Sequence, residues 1–154
     1  MSITSTVGPG GLGTAVQSRS LLQESAVGAA AATLINAALW AGGRPADVSF
    51  AVSSAFMTQV GIVSIVLTTF LAFAVGSGLL ALAVRRSRRW VRAVLVAAAL
   101  FAVASAGAPL SAAQDTATGV LLATMHLVTG VAFLITAWRV VPPASNQLEG
   151  TGST

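Results

Sequence analysis

The chain holds a single histidine, His126, inside an apolar run that extends from Thr116 to Trp138. An imidazole there can take up or release a proton near neutral pH, or hold a ligand by a hydrogen bond. Two further polar side chains, Asn36 and Gln59, also fall within apolar stretches. Polar groups inside a membrane are costly and turn toward protein or water. Counted at ~1.5 Å per residue along each helix, His126, Asn36 and Gln59 all lie in the outer half of a bundle. They are expected either to line a small polar pocket open to the outside or to make separate interhelical hydrogen bonds worth roughly 0.6 kcal/mol each.

His126 belongs to a stripe at helical spacing: Gly119, Ala123, His126, Gly130, Phe133 and Ala137. Small residues let helix backbones approach, so this stripe is the expected packing face. On it, His126 would act as a proton acceptor or ligand contact, or as a neutral imidazole bonded to a neighbouring helix. Ser64, Thr68, Thr69 and Ser105 are expected to bond back to their own helices. Glu24 reads as an acid near a helix N-terminus, favoured there by the helix dipole.

Other chemistries are short of residues. The chain has no cysteine, one histidine and four acidic residues. Thiol chemistry and thiolate metal sites are therefore excluded. No catalytic triad, carboxylate pair or Gly-rich phosphate loop is visible, and bis-histidine haem ligation would need His126 from each of two subunits. The expectation is a non-enzymatic protein with no metal and no cofactor.

The elements that position these residues follow from the charge pattern. Arg85, Arg86, Arg88, Arg89 and Arg92 crowd one short segment between two uncharged apolar runs. Arginines resist translocation, so this segment reads as a cytoplasmic hinge between two spans. It is also a candidate contact for anionic lipid headgroups or an acidic partner. Charged residues make up only 8% of the chain and mean hydropathy is +0.86, whereas soluble domains carry roughly 25% charged residues. A nucleic-acid partner is excluded, because the arginines sit at the ends of apolar segments and form no polar face.

Four helices are expected: Leu21–Ala41, Phe56–Val84, Trp90 to about Leu110, and Thr116–Trp138. Pro109 should end the third, and Asp115 or Thr116 should cap the fourth. Residues 1–20 and 141–154 read as disordered cytoplasmic tails flanking a transmembrane domain at 21–140. Arg19, the hinge and Arg139 fall on one side and Arg44 alone on the other, which gives an N-in, C-in topology. Trp90 and Trp138 then mark the inner interface and Trp40 the outer one. The first segment also has the look of a cleaved signal peptide, which would leave three spans.

The segments Thr124-Met125-His126-Leu127-Val128-Thr129-Gly130 and Ala104-Ser105-Ala106-Gly107-Ala108-Pro109-Leu110 resemble a family of small four-helix actinobacterial membrane proteins of unknown function. The resemblance covers roughly 30–139. It implies that Ser105, Pro109 and His126 are family positions, and it brings no activity with it. The expected fold class is all-α and polytopic, in a bacterial cytoplasmic membrane. The expected function is that of an accessory or interaction subunit, or a binder of a small apolar ligand near His126. A homo-oligomer or a membrane partner protein is compatible with the small-residue faces. The competing expectation is a small proton-linked transporter or channel that uses His126.

Overall fold

The computed structural model describes the backbone of residues 9–54 and 57–141, and among these the side chains from residue 21 onward. Four helices make up the fold: α1 (Pro9–Gly43), α2 (Ile62–Arg86), α3 (Arg88–Ala112) and α4 (Thr116–Val140). Each contains a stretch long and apolar enough to cross a membrane. A helix of 25 residues, as in α2, α3 and α4, rises about 37 Å against a hydrocarbon core of about 30 Å. α1 packs on α2 and α4, and α3 packs on the same two helices. The helices thus form a ring with α1 and α3 at opposite corners.

The two ends of the bundle differ. At the hinge end, α2 and α3 are separated only by Ser87, whose extended backbone interrupts an otherwise continuous helical run. Leu21, Leu80, Ala83, Val91 and Ala137 bury one another there, so all four helices meet. At the opposite, loop end, Phe50, Val52, Ile65, Leu122 and Met125 form a second cluster, backed by Leu39, Trp40, Val48, Val60 and Leu121. It draws on α1, α2, α4 and the loop from Arg44 to Gly61, and takes nothing from α3. Between the two ends, Phe73 and Phe133 meet edge to face with centroids 5.9 Å apart.

Close backbone approach holds the middle of the bundle. A Cβ on Gly28 would collide with Thr136 Oγ1 and with Phe73, and one on Gly130 would collide with Ala102. Gly119, Ala123, Phe133 and Ala137 of the expected α4 packing face are all buried.

The starts of α1 and α2 and the end of α3 differ from expectation, and the other boundaries lie within two residues of it. α1 starts at Pro9, so it takes in residues assigned to a disordered tail. Proline suits a first helical turn because its missing N–H is not needed there. Once the apolar part of a helix is nucleated, each polar residue added needs only one more backbone hydrogen bond to propagate it. Residues 1–8 and 142–154 of the two expected tails lie outside the described residues. α2 starts at Ile62 and not at Phe56, because Gln59 and Val60 are drawn into extended pairing with the loop: Ala51 bridges Gln59, and Val60 N–H donates to Phe50 O. α3 runs past Pro109 to Ala112, with Ala113 N–H still reaching the Pro109 carbonyl. The expected cap of α4 is present: Asp115 Oδ1 accepts from Thr118 N–H at 2.7 Å.

Candidate functional site

The polar side chains singled out in the sequence occupy different places. Asn36 is only 1% exposed and sits where α1, α2 and α4 converge. Its Nδ2 donates to Thr69 Oγ1 at 3.2 Å and to Thr129 Oγ1 at 3.0 Å. Thr129 in turn donates to the Met125 carbonyl. Asn36 therefore ties three helices together through one amide. Among the described residues its Oδ1 has no partner, and neither does Thr33 Oγ1 one turn earlier. Thr69, expected to bond back to its own helix, is instead an acceptor for Asn36. Thr68 and Ser105 do bond back, to Ser64 and Ala102 carbonyls respectively.

Gln59 lies in the loop and not in α2, and its Nε2 donates to the Ser49 carbonyl at 3.2 Å. It braces the loop from one strand-like stretch to the other. His126 lies elsewhere again. Its Nδ1 is 2.8 Å from the Leu122 carbonyl of its own helix, so Nδ1 carries the hydrogen in that contact, and Nε2 has no partner among the described residues. The ring is exposed, although Leu122, Ala123 and Phe133 around it on α4 are buried. By helical periodicity His126 stands within the packed arc of α4, so the surface is open where a neighbouring helix would be expected. Among the described residues no hydrogen bond links His126, Asn36 and Gln59, and each has its partner in a different part of the fold.

A better-formed concavity lies at the loop end, built largely from residues whose role hydropathy does not reveal. The α1–α2 loop folds back over the bundle. Phe50 N–H donates to Thr118 Oγ1 at 3.0 Å, and Ser49 Oγ donates to Asp115 Oδ2. Val52 bridges Ala113, which joins this loop to the α3–α4 turn. Thr118 is fully buried and also donates to Asp115. Hydrogen bonds from the Ser49 hydroxyl, and from the Thr118 N–H and hydroxyl, hold the Asp115 carboxyl below the usual aspartate range.

Two loop residues, Asp47 (φ 55°) and Phe50 (φ 54°), adopt left-handed backbone conformations. Aspartate tolerates this region, whereas a bulky aromatic rarely does. Phe50 is held there because its ring is 2% exposed and packs 6.0 Å from Trp40, centroid to centroid. Beside these rings opens a pocket of about 430 Å³ lined by Trp40, Arg44, Asp47, Ser49, Phe50 and Gln59, among others. The Arg44 guanidinium lies 5.1 Å from the centre of the Trp40 ring, a cation–π distance.

At the hinge end, Arg85, Arg86, Arg88, Arg89 and Arg92 are all exposed. None of them forms an ion pair among the described residues. Glu24 does: it lies well inside α1 and not in a first turn, and it faces Arg139 of α4 at 4.0 Å.

Neither a curated protein nor a solved structure matches the chain. A family model does match, over residues 16–142, which takes in all four apolar spans, the loop pocket and His126. The chain belongs to the family described as "Family of unknown function (DUF6069)".

Proposed function

We propose that this is a non-enzymatic accessory protein of a bacterial cytoplasmic membrane, which binds a lipid-soluble small molecule bearing one polar group. His126 would contact that group. The observation that carries the reading is the exposed imidazole near the middle of an apolar span, its Nε2 without a partner among the described residues. A polar ring at that depth calls for a partner. α2 and α3 share the hinge-end cluster, but α3 adds nothing to the loop-end cluster. His126 lies on the α4 face that meets α3 at Gly130 and α2 at Phe133, and its exposure there would let a ligand reach it sideways from the bilayer. The positive-inside rule puts the arginine hinge in the cytoplasm, with both chain termini on the same side. The lysine-free, Ala- and Gly-rich composition agrees with a bacterial source, as the resemblance to actinobacterial proteins implies.

The test is native mass spectrometry of protein purified from its own membranes, comparing wild type with His126→Ala and His126→Gln. Expected is a discrete non-lipid adduct on wild type, lost in His126→Ala and partly kept in His126→Gln, whose amide restores a polar group at that reach. Identical adducts on all three proteins would overturn the reading.

A further inference from the structure

The loop-end pocket holds two opposite charges that do not neutralise each other. Arg44 and Asp47 both line it, both are exposed, and neither forms an ion pair among the described residues. Arg44 is steered by the Trp40 ring, and that stacking leaves the guanidinium edges available for hydrogen bonds. Asp47 is set apart by its left-handed backbone, which lies in the tight turn closed by Asp47 N–H to Arg44 O and Val48 N–H to Gly43 O. A short stretch of chain thus presents a cation and an anion to one cavity and holds them separate.

The rest of the pocket is fixed as firmly. Ser49 is tied to Asp115, Phe50 to Thr118 and Gln59 to the Ser49 carbonyl. Backbone strain of the kind seen at Phe50 persists only where surrounding contacts over-determine it, and such sites cluster where ligands bind. Its volume of about 430 Å³ falls within the range of small-ligand sites. The pocket lies just beyond the end of the first candidate span and beside Trp40, and tryptophans at span ends mark the headgroup level.

We propose that this pocket is a headgroup site for a zwitterionic phospholipid with a primary ammonium, in which Arg44 takes the phosphate and Asp47 takes the ammonium. A purely anionic headgroup would satisfy Arg44 but would meet the Asp47 carboxylate with like charge. A quaternary ammonium has no N–H to donate to Asp47. A phosphate with a primary ammonium a short linker away meets both requirements. The membrane supplies it at the right depth and high local concentration, which is why the lipid, and not a soluble zwitterion, is the assigned occupant.

The experiment is native mass spectrometry of the full chain in detergent micelles, titrated with phosphatidylethanolamine, phosphatidylcholine and phosphatidylglycerol of identical acyl chains. Soluble glycerophosphoethanolamine serves as a competitor. Expected is single-site retention of phosphatidylethanolamine over the other two lipids. Arg44→Gln and Asp47→Asn should each weaken it about tenfold, the loss of one charge-assisted bond. Asp47→Asn should at the same time improve phosphatidylglycerol binding, a gain that mere damage to the loop would not produce. Equal retention of all three lipids by wild type would overturn the proposal without reference to any variant. So would an Asp47→Asn protein that still prefers phosphatidylethanolamine. Displacement of the lipid by equimolar glycerophosphoethanolamine would make this a soluble-ligand site and refute the lipid assignment.

Discussion

Phe50 allows burial and backbone strain to be measured separately. Replacing it with alanine or with glycine removes the same ring, which is 2% exposed and packed among Val52, Ile65, Leu122 and Met125. Loss of a buried phenylalanine side chain costs about 3–5 kcal/mol. The two variants then differ by one methyl group. At φ 54° the alanine Cβ keeps a left-handed penalty of roughly 1–2 kcal/mol that glycine escapes. Against this, glycine loses roughly 0.5–1 kcal/mol more conformational entropy on folding. The balance leaves Phe50→Gly more stable than Phe50→Ala by up to about 1.5 kcal/mol, the reverse of the usual order. Reversible denaturant unfolding in mixed micelles, followed by tryptophan fluorescence, reads this directly, since Trp40 lies 6.0 Å from the Phe50 ring centre. If alanine proves more stable than glycine, Phe50 is not held in a strained conformation, and the over-determined loop on which the pocket rests is refuted.

Other outcomes follow from the same contacts. A double-mutant cycle on Asn36→Ala and Thr129→Val should give a coupling near 0.6 kcal/mol in unfolding measurements, and a value near zero would show that the 3.0 Å contact contributes nothing. Asp115 has a folded pKa below its unfolded one, so its stabilising effect is complete above the ordinary aspartate value and is lost as pH falls through the lower folded value. Asp115→Asn should flatten the acid limb of a stability-against-pH curve, and an unchanged limb would count against the cap. The Glu24–Arg139 pair is 40% and 66% exposed at 4.0 Å, so Glu24→Gln should move the unfolding free energy by less than about 0.5 kcal/mol. Gly130→Val would drive a side chain into Ala102, and should cost about 1–3 kcal/mol through forced separation of α3 from α4. Wild-type stability in that variant would mean the two helices do not meet there.

The spans were legible because hydropathy and charge act at the scale of a whole helix. A run of some twenty apolar residues broken by arginines has few other physical solutions. The Asp115 cap was legible for a local reason: a carboxylate just before a helix has free N–H groups within reach. The candidate site was harder to see. Asn36 was recognised as an intramembrane polar group, but its partner Thr69 looked like any hydroxyl that bonds back to its own turn. The uncharged run from Phe56 to Val84 places Gln59 on a helix, whereas its pairing with Ala51 depends on a loop folding back. His126 shares its stripe with residues that are buried, and spacing along one helix does not show where a neighbouring helix is missing. Arg44 and Asp47 passed for ordinary loop charges. Only the left-handed turn at Asp47 and the Trp40 ring bring them to a common cavity, and neither leaves a mark in composition.

The closure of the loop end has a bearing on the order of assembly. Phe50 reaches Thr118 across 68 residues of chain, and Ser49 reaches Asp115 across 66. Contacts so distant in sequence form late, because the intervening chain must be in place first. During synthesis, α1 and the loop emerge long before the N-terminus of α4, so the loop has neither Thr118 nor Asp115 to bind while α2 and α3 enter the bilayer. Arrival of the last helix therefore completes two things at once, the bundle and the pocket over its end. A chain arrested before α4 would lack the Phe50–Thr118 and Ser49–Asp115 bonds that tie the loop down, so amide exchange at the Phe50 N–H reports whether the fourth helix has docked.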